Sequence, residues 1–170
     1  MSIKKGSVRD AYNSIYTAFR EDEELMRLLY YPPKDSKNLD PLDERLPNIT
    51  EMELGDYWDI LEERIRLAEK TSDLEDKPLC RIYISLGRRR PIFGNYMLVT
   101  QEVLVSVYTH EMFEKDSRNE WILDRMNELL VSEKLQGMIG KVEYAGGDPY
   151  VAPAQYKNYR HRYRYTDSKK

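Results

Sequence analysis

The residues best suited to catalysis are few and widely separated in this sequence. The two histidines, His110 and His161, and the single cysteine, Cys80, occur without the His-x-x-x-His or Cys-x-x-Cys spacing that is typical of metal sites. Cys80 opens an apolar alternating segment, where we expect a buried thiol rather than a nucleophile activated by a neighbouring base. Phosphate-binding glycine motifs are absent as well. The sequence therefore predicts a protein with no catalytic residues, no metal site and no cofactor.

Two arginine-rich segments are the candidate contact sites for DNA or for another protein. The first follows an apolar strand and is predicted to form a hairpin loop, where adjacent guanidinium groups can bind phosphates or carboxylates. The second is the predicted last strand, in which arginines share one face and the alternating tyrosines and histidine share the other. A solvated loop and an edge strand protected against aggregation are the structural alternatives. The candidate contact residues are Arg88, Arg89, Arg90, Arg160, Arg162 and Arg164.

The elements that would position these arginines begin with a helical, acidic part, residues 1–76. Apolar residues at spacings of three and four predict a helix over 7–30 and a second helix over 50–70. Between them, residues 32–49 are rich in proline, aspartate and asparagine and form a long loop. Loops of this length in compact domains are functional or packed against the rest of the protein. The second helix is predicted to bury Tyr57, Trp58, Leu61, Ile65 and Ala68.

From Cys80 onward the apolar period changes from about 3.6 to 2, which indicates strands. Four segments are predicted as strands: 80–86, 101–109, 142–145 and 159–165. A basic loop at 87–95 joins the first two, a third helix covers 118–135, and a turn lies at 146–149. The helix is expected to pack across one face of the sheet. The predicted core consists of Ile82, Ile84, Val103, Val105, Val107, Ile122 and Leu129.

The predicted fold class is α+β, with a small, mostly antiparallel sheet of about four strands packed against helices and an N-terminal helical extension. Residues 1–170 are expected to form a single domain. Within it, 1–76 is the helical part with its loop at 32–49, and 77–165 is the sheet with its helix. Residues 166–170 are polar and are expected to fray.

Charge is distributed unevenly along the chain. Residues 21–76 carry 18 acidic and 7 basic side chains, whereas residues 77–170 carry 16 basic and 11 acidic ones. Opposite potentials on one molecule favour head-to-tail contacts between copies, although an ordinary solvated surface also accommodates such a split. Tyrosine, with 14 residues against 3 phenylalanines, suits either a protein interface or a half-exposed sheet.

The N-terminus is polar, and no apolar run approaches the roughly 18 residues of a membrane span. The single cysteine allows no disulfide within the chain, which fits a reducing compartment. We therefore expect a protein made in the cytoplasm that has no membrane contact.

Residues 80–165 combine a strand with a basic hairpin, an alternating strand at Glu102–Tyr108, a helix at Trp121–Leu130 and a late strand ending at Tyr165. This arrangement resembles a group of neck proteins of tailed bacteriophages, namely the tail-terminator or tail-completion proteins and the related head–tail joining proteins. The N-terminal 75 residues are longer than a minimal member of that group has, which leaves the exact role in the neck open.

The resemblance implies a structural virion protein that forms a homo-oligomeric ring, usually of six copies, and has no active site. Such a ring completes the viral tail or joins the tail to the head connector. Its partners would be further copies of itself and the neighbouring neck and tail-tube proteins, and its lumen would pass DNA. Assembly would take place in the host cytoplasm.

Two other classes of function remain open. One is a nucleic-acid-binding module that uses the arginine-rich loop and the Tyr/Arg strand, although a net charge of −3 disfavours it. The other is a small enzyme, which would need a pocket with converging polar groups.

Overall fold

The computed structural model describes residues 7–168. Its helices are α1 (Ser7–Arg20), α2 (Glu23–Tyr30), α3 (Leu54–Arg64) and α4 (Arg118–Leu130), with short 3-10 segments at Ile49–Glu51 and Glu111–Asp116. Its strands are β1 (Ile65–Arg66), β2 (Cys80–Ile92), β3 (Asn95–His110), β4 (Glu143–Tyr150) and β5 (Tyr156–Ser168). None of the described helices is long and apolar enough to cross a membrane.

The helix predicted over 7–30 is two helices in the structure, because Asp22 begins a new one. The Asp22 carboxylate accepts a hydrogen bond from the backbone N–H of Leu25 at 2.8 Å, which is the N-cap contact that starts α2. The second predicted helix is shorter than expected. It begins at Leu54 and passes directly into a strand at Ile65.

The five strands of the described region form one sheet in the order β1-β2-β3-β5-β4. Strands β1 and β2 run parallel, and the other neighbouring strands run antiparallel. The α+β class and the mostly antiparallel sheet are therefore confirmed. The sheet has five strands rather than about four, because the two residues of β1 pair with β2 where the sequence predicts continued helix.

The β2–β3 hairpin is longer than predicted. Both strands continue through the predicted loop at 87–95 and leave only Phe93 and Gly94 between the paired residues Ile92 and Asn95. Gly94 has a φ of 77°, a conformation that glycine adopts without steric cost. The run of three arginines thus lies in a strand and not in a loop.

The C-terminal strands also differ from the prediction. Residues 146–149, expected to form a turn, lie within β4 beside a register shift between Tyr144 and Gly146. Residues 166–168, expected to fray, continue β5 and pair with β3. Strand β5 lies between β3 and β4, so it is an interior strand and not the edge strand that the alternating arginines suggested.

The main core lies between the helices and one face of the sheet, which we name the helix face. Six predicted core residues are fully buried there: Ile82, Ile84, Val103, Val105, Val107 and Ile122. Leu129 is only half-buried, because α4 ends at Leu130 and directs Met126 and Leu130 into the core instead. Trp58, also predicted to be buried, is 39% exposed.

Two buried arginines bind the C-terminal end of α2. Arg118, at the start of α4, donates from Nη1 to the carbonyl oxygens of Leu28 and Tyr31 at 2.5 and 2.7 Å. Arg64, at the end of α3, donates from Nη1 to the carbonyl oxygen of Leu29 at 2.9 Å. These carbonyls lie at a helix end and lack partners within the helix. The two guanidinium groups therefore join α2 to α3 and α4.

A third arginine, Arg27, fixes the long loop that follows α2. It is 5% exposed and donates to the carbonyl oxygens of Asp43 and Leu46, each at 3.0 Å. Its Nε also pairs with Glu23 at 2.7 Å. The loop predicted over 32–49 is therefore packed against the protein through its backbone.

Candidate interaction surface

The sheet face opposite the helices carries most of the candidate arginines and is partly covered. Leu74 and Leu79 pack over one half of it and bury Tyr83 and Tyr108. The other half, which we name the open face, displays charged side chains from four strands. Its residues are Arg88, Arg90, Glu102, Leu104, Glu143, Asp148, Tyr150, Arg160, Arg162 and Arg164.

The arginines of β5 are paired with carboxylates of the same chain. Arg164 donates from Nε to Glu143 at 2.7 Å, and Arg162 donates from Nη1 to Asp148 at 2.5 Å, in both cases across to β4. The predicted alternation along this strand is confirmed, since the other side chains are buried toward the helix face. These buried residues are His161, Tyr163 and Tyr165.

Arg160 has the most contacts of the open-face arginines. Its Nε donates to the hydroxyl of Ser106 at 2.9 Å, and its Nη2 lies 3.6 Å from a carboxylate oxygen of Glu69. The guanidinium carbon lies 3.9 Å from the centroid of the Tyr150 ring, a cation–π geometry that favours a fixed position. The Arg160 side chain is 21% exposed, so a partner would touch only its outer edge.

A bulge in β2 separates the three consecutive arginines. Gly87 and Arg88 together stand opposite Glu102 of β3. A Cβ atom on Gly87 would lie 3.0 Å from the Cβ of Glu102, so a larger residue would be tightly packed against Glu102 at this bulge. The bulge turns Arg89 to the helix face, whereas Arg88 and Arg90 remain on the open face.

Arg89 is therefore a structural residue. Its Nη1 lies 2.7 Å from Asp167, whose side chain is fully buried, and 3.2 Å from the side-chain oxygen of Gln101. Its Nη2 donates to the carbonyl oxygen of Ser168 at 2.7 Å. A buried carboxylate needs such a partner. Within residues 7–168, the side chains of Arg88 and Arg90 make no ion pair, which distinguishes them from Arg89.

A groove of about 840 Å³ crosses the open face. Its volume falls in the range of small-molecule sites, but its walls alternate positive and negative side chains and open widely to solvent. This lining suits a charged protein surface better than an enclosed ligand. Within residues 7–168, no group of three or more His, Cys, Asp or Glu residues is placed to hold a metal ion.

The residues with the greatest chemical reactivity are used structurally. Burial raises the pKa of the Cys80 thiol to about 12, which keeps it protonated and unreactive. Burial lowers the pKa of His161 to about 4, and its Nδ1 lies 3.0 Å from the hydroxyl of Tyr144. His110 accepts a hydrogen bond from the N–H of Met112 and so caps the 3-10 segment that follows it.

Comparison with known proteins identifies the family. The YomW family model matches residues 22–165. The chain belongs to the YomW family. One relative, the SPbeta prophage-derived protein YomW of Bacillus subtilis (strain 168), is 34% identical over 141 residues, covering 76% of this chain and 79% of that protein. The region shared with the YomW family contains all six candidate arginines and leaves out α1.

Among solved structures, this YomW-family chain is similar to a chain in the virion of the native gene transfer agent (GTA) particle. The TM-score is 0.55 at 12% sequence identity, and the match covers 97% of this chain and 99% of that chain. At this identity the similarity establishes a shared fold. The fold is shared over nearly the full length of both chains.

The YomW-family chain also has an exposed apolar feature that sequence reasoning missed, the hairpin tip, which comprises Ile92–Met97. Phe93 is fully exposed and Tyr96 is 81% exposed. The available signal was Phe93 directly before Gly94, since turn positions normally carry polar residues, glycine or proline. Exposed aromatic residues on a projecting element are typical of protein interfaces.

Proposed function

We propose that this chain is a non-catalytic structural protein of a virion, and that it forms a ring in the neck of a tailed phage. The ring would complete the tail or join the tail to the head connector. The observation that carries the proposal is the end-to-end similarity in fold to a chain of the GTA virion, which covers 97% of this chain and 99% of that one. The prophage origin of the relative with 34% identity supports the same setting.

The charge distribution supports assembly from identical copies. The segment 21–76 carries a net negative charge and the segment 77–170 a net positive one. A contact between two different surfaces of one chain is heterologous, and it closes into a ring when the rotation between copies allows. Assembly should weaken with added salt, because surface charges are screened over about 8–10 Å at physiological ionic strength.

Within such a ring, we assign Arg88 and Arg90 to contacts with carboxylates of a neighbouring protein. A guanidinium group pairs with a carboxylate through two parallel hydrogen bonds and so fixes orientation. DNA in the lumen must slide, and tight phosphate contacts in every copy would oppose that movement. A nucleic-acid-binding module receives less support, because four of the six candidate arginines are ion-paired within the chain: Arg89, Arg160, Arg162 and Arg164.

The proposal is tested by deleting the gene from the phage genome that encodes it and examining the lysate by electron microscopy. We expect filled heads and separate tails in normal numbers, with joined particles restored when the protein is supplied from a plasmid. Antibody labelling of intact particles should mark the head–tail junction. Infectious particles that lack the protein by mass spectrometry would exclude this function.

Solution measurements separate the proposed function from DNA binding. Sedimentation over a range of concentrations should show a discrete oligomer that weakens with salt. A mobility shift with DNA should be weak and lack sequence preference. A salt-dependent DNA complex formed by a strict monomer would favour the nucleic-acid-binding alternative.

A further inference from the structure

The hairpin tip carries exposed aromatic side chains, and arginines precede it on β2. Among the described residues of β5, the last to pair with β3 is Ser168, opposite Leu98, and the tip lies beyond that pair along the hairpin. Phe93 and Tyr96 are exposed at the tip. Arg88 and Arg90 precede it on β2, and their side chains make no ion pair among residues 7–168. The tip thus presents apolar area beside positive charge that the described chain leaves unneutralised.

The outer face of α3 has the complementary properties. Leu54 is 72% exposed and Trp58 is 39% exposed, and one helical turn separates them. Gly55 lies beside them, with nothing within 4 Å of the place where a Cβ atom would stand. Asp59 and Glu62 are exposed on the same side of the helix. We name these five residues the acidic helix face.

The tip of one chain cannot occupy the acidic helix face of the same chain. Helix α3 leads directly into β1, and Ile65 of β1 pairs with Ile82 of β2. From Ile82 to Ile92 the strand spans about 33 Å, whereas the whole of α3 is about 16 Å long. No residue of α3 therefore reaches the tip, and contact between the two surfaces requires two molecules.

We propose that the hairpin tip of one copy binds the acidic helix face of the next copy. Phe93 and Tyr96 pack against Leu54 and Trp58 of the second copy. Arg88 and Arg90 pair with the carboxylates beside that apolar strip. The occupant is a second copy because one chain bears both surfaces, with opposite charge and with exposed apolar side chains on each.

This contact is heterologous, since each copy offers a tip and receives one. The inference rests on the proposed function, because the proposed ring is the assembly in which the copies meet. A tip of this size buries less than the roughly 1,200–2,000 Å² of a stable interface. It therefore acts together with other contacts between copies. A covalent trap is the suitable assay, because it records contacts that are too weak to isolate.

Variants that each carry one added cysteine provide the test. Phe93→Cys and Leu54→Cys proteins are mixed and oxidised, and the natural Cys80 contributes no background because it is buried. We expect a disulfide-linked dimer in the mixture and no such dimer when either variant is oxidised alone. Val151→Cys is the matched control, since Val151 is 82% exposed at the opposite end of the sheet. Its mixture with Phe93→Cys should give no dimer.

Charge reversal tests the polar half of the contact. Arg88→Glu with Arg90→Glu in the tip variant should abolish the cross-link. Asp59→Lys with Glu62→Lys in the Leu54→Cys partner should restore it. Recovery would not follow if the substitutions had only damaged the fold.

Each remaining outcome decides between the proposals. A dimer formed as readily by Phe93→Cys alone shows tip-to-tip contact and overturns this inference. Absence of the mixed dimer in preparations that sediment as an oligomer also overturns it, while leaving the proposed neck ring intact. Infectious particles without the protein overturn the proposed function, whereas a mixed dimer still establishes the contact.

Discussion

Replacing Arg118 with methionine should be one of the most destabilising single changes outside the apolar core. Arg118 is fully buried and donates to the carbonyl oxygens of Leu28 and Tyr31 and to the carboxylate of Asp116. Methionine has a similar length but donates no hydrogen bond. An acceptor left unpaired in the interior costs about 1–3 kcal/mol. The carboxylate of Asp116 is 23% exposed and keeps some water, so we expect a total loss of about 3–4 kcal/mol.

Urea unfolding, followed by the fluorescence of Trp58 and Trp121, measures this loss. With a slope of about 2 kcal/mol per molar urea, the midpoint should fall by about 1.5–2 M. Arg45→Met is the matched control, because the Arg45 side chain is 73% exposed and pairs only at the surface with Asp43. That change should alter stability by less than about 0.5 kcal/mol. A midpoint shift below about 0.5 M for Arg118→Met would refute the reasoning, since the bonds to α2 would then contribute little.

Three further predictions concern the sheet. Val105→Asp places an unpaired charge at a fully buried position and should cost several kcal/mol; a circular dichroism melt like that of the parent would show the assigned strand faces to be wrong. Arg89→Ser should lower stability by about 1–3 kcal/mol because it removes the charged hydrogen bond to the buried Asp167 and the bonds to Gln101 and Ser168, whereas Arg90→Ser should change it by under about 0.5 kcal/mol; equal shifts in melting temperature would contradict the different roles of the two arginines. Burial lowers the pKa of His161 from 6.5 to about 4, so as the pH falls this residue is protonated in the unfolded chain before it is protonated in the folded protein. Its contribution to stability is therefore complete above pH 6.5 and is lost as the pH falls to about 4. His161→Phe should remove that part of the pH dependence. If the urea midpoint falls by the same amount between pH 7 and pH 5 in the parent and in the variant, His161 is excluded as its source.

The parts of the fold that the sequence predicts are those set by short-range periodicity. Val103, Val105 and Val107 recur at every second position, and they are buried on one face as that period requires. The alternation of arginine with aromatic residues in β5 is equally local and equally correct. Helix ends were less predictable, because the break at Asp22 depends on a cap that competes with continuous helical periodicity.

The errors arise where pairing over long sequence distances decides the outcome. Arg88, Arg89 and Arg90, between Gly87 and Pro91, have the composition of a loop. They form a strand because β3 pairs with them across a bulge and because Asp167 binds Arg89. Residues 146–149 likewise have the composition of a turn. They are tolerated in β4, an edge strand that can accept a proline and a bulge.

The candidate surface was predicted residue by residue but not as an arrangement. Five of the six arginines lie on one face, which follows from the strand order β2-β3-β5-β4 and could not be derived from sequence without that order. The partners that neutralise β5, Glu143 and Asp148, lie on β4, where the sequence predicts a shorter strand and a turn. The sequence does not predict the exposed hairpin tip, because its first residues, 92–95, belong to the predicted basic loop.

The arginine contacts at the end of α2 have a consequence for synthesis. The donors to its last carbonyls, Arg64 and Arg118, follow Leu29 and Leu28 by 35 and 90 residues. When the ribosome has released only the first helices, the last carbonyls of α2 have no arginine partner. At that stage α2 is an eight-residue helix of marginal stability. The N-terminal region is therefore expected to stay protease-sensitive on the nascent chain until α4 has emerged, and to become resistant in one late step.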